Sequence, residues 1–492
     1  MTANLRIIHD IRKTLRQKKQ KTLCHIGEYS YFCRKMKKRV RIVYIIDSLA
    51  SKGGAERILT DKMNYMASQW GWEVHVVTCY QDAASMPNAY ELSAHVKQTN
   101  LQIPYHSQYR YGYPRRLWEK WRIYRSLCQQ LAATVQRIDP DVLIGLGYFQ
   151  ADVVVGIKCR AMKVIESHEA RIFTMSDDGL GRSWLSRLYM RYYKQHYFRD
   201  VERKADVVVA LTEGDAREWR KARRVEVIPN FTVMNGRQSL EASPAEERRQ
   251  SLEASPTKGR AQSLEASPTE GRRQSLEASP AEGLQSLEAS PTKGWRQSLE
   301  ASPTKGRQSL EASPTTTYKR VLAVGRLEWQ KGFDRLIDVW AMIATDHPDW
   351  RLDIFGSGTL EKELRARIRQ AGLDSQTSVH PFTKNIADEY AASSVFALSS
   401  RFEGFGLVLL EAMQHGVPCV VFDCPFGPSD VVVDGECGFV VPDGDIPAFA
   451  RQLARLMDDD ELRCQFAAAA VERVKRFSVD IVMEQWRQLL IQ

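Results

Sequence analysis

The chain has 492 residues, of which 43% are hydrophobic and 26% charged, values that exclude a collagen-like or wholly disordered protein. Its net charge of +10 is uneven, because residues 1–237 hold 41 Lys and Arg against 23 Asp and Glu, whereas residues 315–492 hold 19 against 26. We therefore expect the basic half to meet an anionic partner, such as nucleic acid, a phosphorylated substrate or an anionic membrane surface. A merely solvated charged face is the alternative.

The nine cysteines are scattered and include no Cys-x-x-Cys pair, so neither a disulfide framework nor a zinc site is expected. No apolar run approaches the roughly 18 residues that a membrane-spanning helix needs, and the basic N-terminus lacks the apolar core of a signal peptide. We therefore expect a cytoplasmic protein.

Residues 1–35 form a basic extension, and Met36 leads directly into an apolar, β-branched run. We suspect that Met36 is the true start; a basic arm is the alternative. From Val40 to residue 237, short apolar runs alternate with helical periods, which is typical of a parallel sheet covered on both faces. The predicted strands are 40–47, 74–78, 142–146, 163–167, 207–211 and 225–228.

Residues 238–314 carry the heptad Gln-Ser-Leu-Glu-Ala-Ser-Pro seven times, at spacings of 11 or 12 residues. One leucine per repeat cannot bury a continuous face against its neighbours, and the proline ends any helix after about one turn. We predict a disordered linker insertion, with a binding array as the alternative.

The alternation of strand and helix resumes over residues 315–492, with predicted strands at 320–324, 352–355, 378–380, 395–398 and 419–422. Residues 36–237 and 315–492 thus predict two Rossmann-like, doubly wound α/β domains in series. Ligands bind such domains at the carboxyl ends of the strands, so two facing units would form a cleft.

The most specific motif is the segment 400–413, in which Glu403 and Glu411 flank a Gly-Phe-Gly loop and the start of an apolar helix. Gly404 and Gly406 allow the backbone to approach a ligand, and the free N–H groups of the helix start favour phosphate or hydroxyl oxygens. Carboxylates at such a position accept hydrogen bonds from paired sugar hydroxyls. A solvated helix face is the alternative.

A second motif follows the first predicted strand of the second domain, where Gly325, Arg326 and Lys331 lie at the edge that would face the cleft. Two fixed cations there would stabilise the charge of a departing diphosphate without a metal. Two further glycine loops, one with Gly53 and Gly54 and the other with Gly356 and Gly358, are weaker signals that also suit plain tight turns.

His168 falls at the end of a predicted strand and hence at the cleft edge, although a structural role is the more common one for a lone histidine. Residues 139–141 read Asp-Pro-Asp, which directly precedes a strand and suits turn chemistry better than a metal site. We therefore predict no metal.

Together these motifs resemble those of family 4 retaining glycosyltransferases, which have two facing Rossmann-like domains (the glycosyltransferase B type). The resemblance covers residues 36–237 and 318–492, and it is strongest in the second range. Residues 424–438 are similar to the bacterial surface-polysaccharide branch of that family.

The resemblance implies a hexosyltransferase that moves a hexose or related sugar from a nucleotide-diphosphate donor to a glycan or lipid-linked acceptor, without a cofactor. Glu411 would bind the ribose, Arg326 and Lys331 the diphosphate, and Glu403 the donor hexose, with His168 beside the reacting centre. The implied donor-binding set is Gly53, Gly54, Gly325, Gly356, Gly358, Phe382, Phe405, Gly406, Leu407 and Glu411.

Two basic segments of the first half are rich in aromatic residues. Residues 105–125 hold six Arg or Lys and seven Tyr or Trp, and residues 182–204 hold seven Arg or Lys and six aromatics. Such helices suit the inner face of an anionic membrane, where a lipid-linked acceptor would be found. Aromatic residues packed in the domain core, with the basic ones outward, are the alternative.

Two other functions compete with sugar transfer. A sugar-nucleotide epimerase of the same architecture would need no acceptor. A nucleic-acid-binding or scaffold protein would use the basic N-terminus and the repeats, but it would leave the motifs of the second domain without a role.

Deleting residues 238–314 should leave a folded and active enzyme. Shortening a linker from about 80 to about 10 residues favours domain contact by roughly 2 kcal/mol through loop-closure entropy. Thermal unfolding and an activity assay would check this. A deleted protein that binds donor but no longer transfers sugar would show instead that the repeats recruit a partner.

Overall fold

The computed structural model describes residues 40–51, 53–82, 85–112, 115–147, 151–168, 195–232, 318–383 and 385–491. The predicted basic extension 1–35, the repeat tract 238–314 and most of the second basic, aromatic segment lie outside these ranges.

The first half of the chain forms a seven-stranded sheet in the order β3-β2-β1-β4-β5-β6-β7, in which all neighbouring strands are parallel. The strands are β1 (Arg41–Ile46), β2 (Glu73–Thr78), β3 (Val96–Asn100), β4 (Val142–Leu146), β5 (Met162–Ser167), β6 (Val207–Ala210) and β7 (Val225–Val227). The helices are α1 (Gly54–Ser68), α2 (Arg115–Ile138), α3 (Ala151–Gly156) and α4 (Glu213–Glu218), and residues 195–204 are also helical.

The second half forms a six-stranded parallel sheet in the order β10-β9-β8-β11-β12-β13. Its strands are β8 (Arg320–Val324), β9 (Arg351–Phe355), β10 (Thr377–His380), β11 (Val395–Leu398), β12 (Cys419–Asp423) and β13 (Gly438–Pro442). Its helices are α5 (Phe333–Ile343), α6 (Glu361–Gln370), α7 (Ile386–Ala391), α8 (Leu407–Gln414), α9 (Pro428–Val431), α10 (Ile446–Asp458), α11 (Asp460–Val474) and α12 (Val479–Ile491).

Each sheet is buried on both faces, as the near-continuous apolar runs predict. In β1, Ile42 and Tyr44 pack into one core cluster while Val43 and Ile45 pack into another on the opposite face. The second sheet is likewise flanked by two clusters, one of which contains Trp340 of α5. The two Rossmann-like domains inferred from the sequence are confirmed.

The last helix of the chain packs against the first sheet and not against the second. Helix α12 follows the second sheet in sequence, but its apolar face packs into the core of the first, with Met483 and Trp486 almost fully buried. The backbone N–H of Thr232, near the end of the first half, donates to the carbonyl of Phe477 just before α12 (2.8 Å). The last helix therefore ties the end of the chain to the first sheet.

Two strands were not predicted from the sequence. Strand β3 reads Val-Lys-Gln-Thr-Asn, which has one apolar residue and lies at the edge of its sheet. Strand β13 begins at Gly438, where a Cβ atom would lie 2.3 Å from the carbonyl oxygen of Cys419. Glycine has a low strand propensity, but its lack of a side chain lets β13 pair closely with β12.

The aromatic residues of α2 lie on its surface and not in the core. The helix buries a stripe that includes Ile123, Leu127 and Leu131. Trp118 and Trp121, by contrast, are 57% and 55% exposed. Core packing therefore does not explain these aromatic residues, although a helix of 24 residues in this basic segment agrees with the sequence pattern.

Candidate functional site

Parallel pairing sets the position of the candidate site. In each sheet the order of strands reverses beside a central strand, β1 in the first and β8 in the second, and such switch points open a crevice at the carboxyl ends of the strands. The loops after β1, β5, β8, β9, β10 and β11, together with α8, carry the residues selected from the sequence.

Contacts join the carboxyl edges of the two sheets. A Cβ atom built on Gly54 would lie 3.0 Å from Leu407 Cδ1, and one built on Gly404 would lie 2.4 Å from the carbonyl oxygen of His168. Because Gly54 and His168 belong to the first domain and the other two to the second, the structure brings the predicted cleft residues of both domains together.

The loop after β8 supplies one ion pair of the site. Lys331 ends a 3₁₀ turn (Trp329–Lys331), and its Nζ lies 2.6 Å from Glu403 Oε1. The hydroxyl of Ser400 donates to the same oxygen (2.6 Å), and the Glu403 side chain is only 6% exposed. Gly332, which follows the turn, has a φ of 63°, and a Cβ there would lie 2.1 Å from the carbonyl of Ser399. The close backbone approach holds the lysine loop against the glutamate loop.

Arg326 lies on the same loop, with Nη2 donating to Gln330 Oε1 (3.0 Å). The amide of Gln330 in turn donates to the carbonyl of Phe402 (3.1 Å). The guanidinium is thus held near Lys331 and Glu403 through neutral groups, and its remaining N–H groups are available to an anionic ligand.

Three predicted donor-binding glycines pack loop against loop. A Cβ on Gly356 would lie 1.9 Å from the carbonyl oxygen of Gly325, and one on Gly358 would lie 2.4 Å from the carbonyl oxygen of Leu327. The backbone of the loop after β9 therefore lies directly on the loop after β8, which explains these glycines by packing whether or not a ligand also contacts them.

The remaining donor-side residues differ in exposure. Phe405 is buried, with its ring edge-to-face against Phe477 (5.7 Å between centroids), and Gly406 caps α8 with a φ of 87°. Phe382 is 63% exposed and lies just after β10. The cap glycine has the conformation that leads the chain into α8, so the loop needs glycine at this position.

Glu411, on α8, has a partner at each carboxylate oxygen. Arg57 of α1 donates from Nη1 to Oε1 (2.6 Å), and the Tyr390 hydroxyl donates to Oε2 (3.0 Å). Burial, followed by the charge of Glu411, raises the pKa of Tyr390 well above its usual range, so this hydroxyl remains a donor. The Tyr390 ring stacks on His415 (5.5 Å).

His168 belongs to a buried triad. Its Nε2 lies 2.8 Å from Glu166 Oε2, and Lys62 Nζ of α1 lies 2.5 Å from the same oxygen. The Lys62 ammonium also lies 4.0 Å from the centroid of the Trp486 ring on α12. All three side chains of the triad are at most 3% exposed, so the structure anchors the His168 imidazole.

Burial is the largest influence on the pKa of Glu166 and acts to raise it, but the charge of Lys62 and the hydrogen bond from His168 outweigh it and hold that pKa at about 2. Burial lowers the pKa of Lys62 against the opposing charge of Glu166. The carboxylate is therefore ionised at neutral pH, and it orients the imidazole through Nε2.

One titratable group at the site had no sequence signal. Asp47 follows β1, and burial together with the nearby charge of Glu56 raises the pKa of its carboxyl to about 7. This carboxyl can exchange a proton near neutral pH at the edge that carries the Gly53 loop.

Within the ranges that the structure describes, no group of three or more His, Cys, Asp or Glu side chains could hold a metal ion. The same ranges contain no helix that combines the length and the apolar character needed to cross a membrane.

Two family models match the chain on either side of the repeat tract. Residues 52–233 match the model described as Glycosyltransferase Family 4, and residues 307–473 match the model of glycosyl transferases group 1. Together the matches cover more than two thirds of the chain and include both glycine loops and both glutamates.

The chain belongs to the family 4-like glycosyltransferases.

Several curated relatives of this glycosyltransferase are bacterial sugar transferases. The amylovoran biosynthesis glycosyltransferase AmsD of Erwinia amylovora is 35% identical over 171 residues, 35% of this chain and 48% of the relative. The lipopolysaccharide core biosynthesis mannosyltransferase LpsB of Rhizobium meliloti is 35% identical over 174 residues, 34% of this chain and 48% of the relative. An N-acetylgalactosaminyltransferase of Campylobacter jejuni, named for a diphospho-undecaprenol acceptor, is 32% identical over 173 residues, 35% of this chain and 47% of the relative. The matches thus span about half the length of these relatives.

Solved structures share the fold over nearly their whole length. TarM of S. aureus superposes with a TM-score of 0.63 at 14% identity, over 92% of this chain and 99% of that one. HepE of Anabaena, solved in complex with UDP, gives a TM-score of 0.58 at 17% identity, over 92% of this chain and 99% of that one. At these identities the likeness shows the two-domain fold.

Sequence reasoning missed the residues that partner the predicted ones across the fold. Arg57 and Glu166 each lie within three residues of a selected position, whereas Lys62 and Tyr390 lie in helices that carry no motif. The Arg57 signal was present, because it ends the Gly-Gly-Ala-Glu-Arg segment; no local pattern reveals that Lys62 is buried.

Replacing Lys62 by Met should destabilise the protein by about 3–5 kcal/mol, because it leaves the buried Glu166 carboxylate without its cation. The double variant Lys62→Met/Glu166→Gln should recover most of that loss, since a neutral amide still accepts the hydrogen bond of His168. Urea unfolding of the wild type, both single variants and the double variant measures this coupling.

The wild type should also lose stability as the pH falls from about 4.5 toward 2, because Glu166 has a lower pKa in the folded than in the unfolded state. The double variant should lack this pH-dependent loss of stability.

In the urea experiment, an equal loss of unfolding free energy in Lys62→Met and in the double variant would show that packing, and not the buried charge, sets the cost.

Proposed function

We propose that this protein transfers a hexose or related sugar from a nucleoside-diphosphate donor to a glycan or lipid-linked acceptor in bacterial surface-polysaccharide synthesis. The observation that carries the proposal is the convergence of Lys331, Glu403 and Glu411 at the carboxyl edge of the second sheet, in contact with the first domain. The names of the AmsD and LpsB relatives support the polysaccharide context. That of the Campylobacter relative supports a lipid-linked acceptor.

In this proposal the second domain holds the donor. Glu411 accepts hydrogen bonds from the two ribose hydroxyls, and Glu403 with the backbone at 405–407 meets the hexose. Arg326 and Lys331 contact the diphosphate, where negative charge grows as the bond between the sugar C1 and the phosphate oxygen breaks. Lys331 keeps one N–H for Glu403 and has two others for phosphate oxygens.

The same proposal includes retention of the anomeric configuration without a resident metal. The acceptor oxygen forms the new bond to C1, and its proton passes to the departing phosphate oxygen on the same face of the sugar. The two cations take the part that a divalent ion plays in other sugar transferases, namely stabilising the leaving diphosphate. His168, which Glu166 orients, lies beside the hexose at the reacting centre.

Conservative variants of the donor-site residues should separate binding from turnover. Glu411→Gln should chiefly weaken UDP binding, because the ribose contact exists in both the ground state and the transition state. Arg326→Gln should chiefly lower kcat, by about 100-fold or roughly 3 kcal/mol, because its contact strengthens as charge develops. Calorimetry with UDP, GDP and ADP, followed by transfer assays in the presence of EDTA, measures both effects.

The exposed Arg369→Gln variant is the matched control for loss of one positive charge. Wild-type kinetics in the Glu411, Arg326 and Lys331→Gln variants would disprove the site assignment. Donor turnover that needs no acceptor would favour an epimerase, and an absolute requirement for Mn²⁺ or Mg²⁺ would overturn the metal-free chemistry.

We also propose that α2 holds the protein peripherally on the inner face of an anionic membrane. The exposed Trp118 and Trp121 lie under cations, with Arg122 5.8 Å from the first ring and Arg125 5.3 Å from the second. Rings of this kind lie at headgroup depth while the guanidinium groups meet lipid phosphates. This surface would present the catalytic domain to a lipid-linked acceptor.

Replacing Arg115, Arg116, Lys120 and Arg125 by Gln should release the protein from anionic vesicles, at roughly 1 kcal/mol per basic residue. Trp118→Ala/Trp121→Ala should weaken the same binding with less dependence on salt. Vesicle sedimentation at two phosphatidylglycerol contents measures both.

Matched controls lie on the second domain. Replacing Arg351, Lys362, Arg369 and Arg451 by Gln tests the same loss of charge, and Met342→Ala tests the loss of an exposed apolar side chain. Unchanged partitioning of the folded α2 variants would disprove the membrane surface.

A further inference from the structure

Each oxygen of the carboxylate proposed to bind the donor ribose already accepts one hydrogen bond. Glu411 Oε1 accepts from Arg57 Nη1 at 2.6 Å, and Oε2 accepts from the Tyr390 hydroxyl at 3.0 Å. Its side chain is 17% exposed. A ribose that uses both oxygens therefore has to share or displace at least one of these partners.

The two partners differ in how firmly they are held. Tyr390 is 1% exposed, belongs to the same domain as Glu411 and stacks on His415, which directly follows α8. Arg57 belongs to α1 of the other domain, 354 positions away in sequence, and its side chain is 41% exposed. Tyr390 is thus held in place by its own domain, whereas Arg57 contacts the carboxylate from the first domain and stays partly solvated.

Arg57 is placed to compete with a ribose for the Glu411 carboxylate. It contacts the carboxylate from the side of the first domain, where Gly54 packs against Leu407 at the start of the same helix. Because the Arg57 side chain is partly solvated, it loses less when its ion pair breaks than a fully buried cation would. Asp61 lies one turn along α1 from Arg57, so the released guanidinium keeps an acidic neighbour.

We propose that Arg57 competes with the donor nucleotide for Glu411 and so acts as a latch between the domains that donor binding releases. This inference rests on the proposed role of Glu411 toward the ribose. Because Arg57 follows the Gly53–Gly54 loop by one helical turn, release of the latch also removes an ion pair that joins the helix after this loop to the donor helix. Donor occupancy is thereby communicated to the first domain.

The latch makes a prediction opposite to that for an ordinary phosphate-binding arginine. Arg57→Gln should bind UDP about threefold to tenfold more tightly than the wild type, whereas loss of a cation that contacts the diphosphate would weaken binding. Arg57→Lys should lie between the two, because a lysine keeps the charge but not the planar guanidinium. Isothermal calorimetry on the full chain with UDP, and in parallel with GDP, measures the change.

A double-mutant cycle ties the effect to Glu411. In a Glu411→Gln background the Arg57→Gln change should produce no gain, because the charged partner of the latch is already absent. The exposed Arg137→Gln variant of α2 controls for the loss of one positive charge far from the pair. Thermal unfolding of each variant confirms that the fold is intact.

Each outcome decides the matter. If the wild type binds UDP or GDP and Arg57→Gln binds it equally or more weakly, the latch is wrong while the proposed donor site stands. A gain that persists in the Glu411→Gln background also overturns it. If neither the wild type nor Arg57→Gln binds either nucleotide, the proposed function and the latch both fail. Binding by Arg57→Gln alone would support both.

Discussion

The parallel pairing of every strand in both sheets is the constraint on which the site depends. It places the carboxyl ends of β1, β5, β8, β9 and β11 at the two sheet edges that face one another. Residues that are distant in sequence meet there: Lys331 reaches Glu403 across 72 positions and Arg57 reaches Glu411 across 354. Helix α12 contributes from the far end of the chain by packing into the first core.

Three ion pairs hold the loops and helices at these edges in place. The Lys331–Glu403 pair fixes two loops of the second domain, the Lys62–Glu166 pair fixes His168 in the first, and the Arg57–Glu411 pair joins the two. The pairs differ in depth, since Lys62 is 3% exposed and Arg57 is 41% exposed. Deep pairs hold geometry because breaking them is costly, whereas an exposed pair can exchange partners at small cost.

The fold and the local motifs could be predicted from the sequence because each depends on the pattern of a few consecutive residues. Apolar β-branched runs predict the central strands, and Gly-Phe-Gly before an apolar run predicts the loop that leads into α8. The structure confirms the two-domain fold and brings Glu403, Lys331 and His168 to one region. Strand β3 was missed because an edge strand with one apolar residue carries little periodic signal.

The partners of the predicted residues could not be found in this way, because they depend on tertiary contacts. Lys62 lies among the polar residues of an ordinary amphipathic helix, and only the packing of Trp486 over it shows that it is buried. Tyr390 reads as a core aromatic residue until its hydroxyl is seen beside Glu411. The glycines of the β9 loop were selected for ligand contact, yet backbone packing against Gly325 and Leu327 accounts for them as well.

These pairs also bear on how the site distinguishes its ligands. Two of the cations at the proposed donor site, Arg57 and Lys331, are neutralised by glutamates, so an arbitrary anion gains little from approaching either of these two. A ligand with both hydroxyl and phosphate groups can give each carboxylate a hydroxyl donor in place of its cation. The same ligand gives each cation a phosphate oxygen in place of its carboxylate. A sugar nucleotide has both kinds of group, in the order ribose, diphosphate and hexose. In the proposed function these ion pairs favour a donor with this pattern over simple phosphates, because a simple phosphate that takes the cation from either pair leaves its glutamate unpaired in a partly buried site.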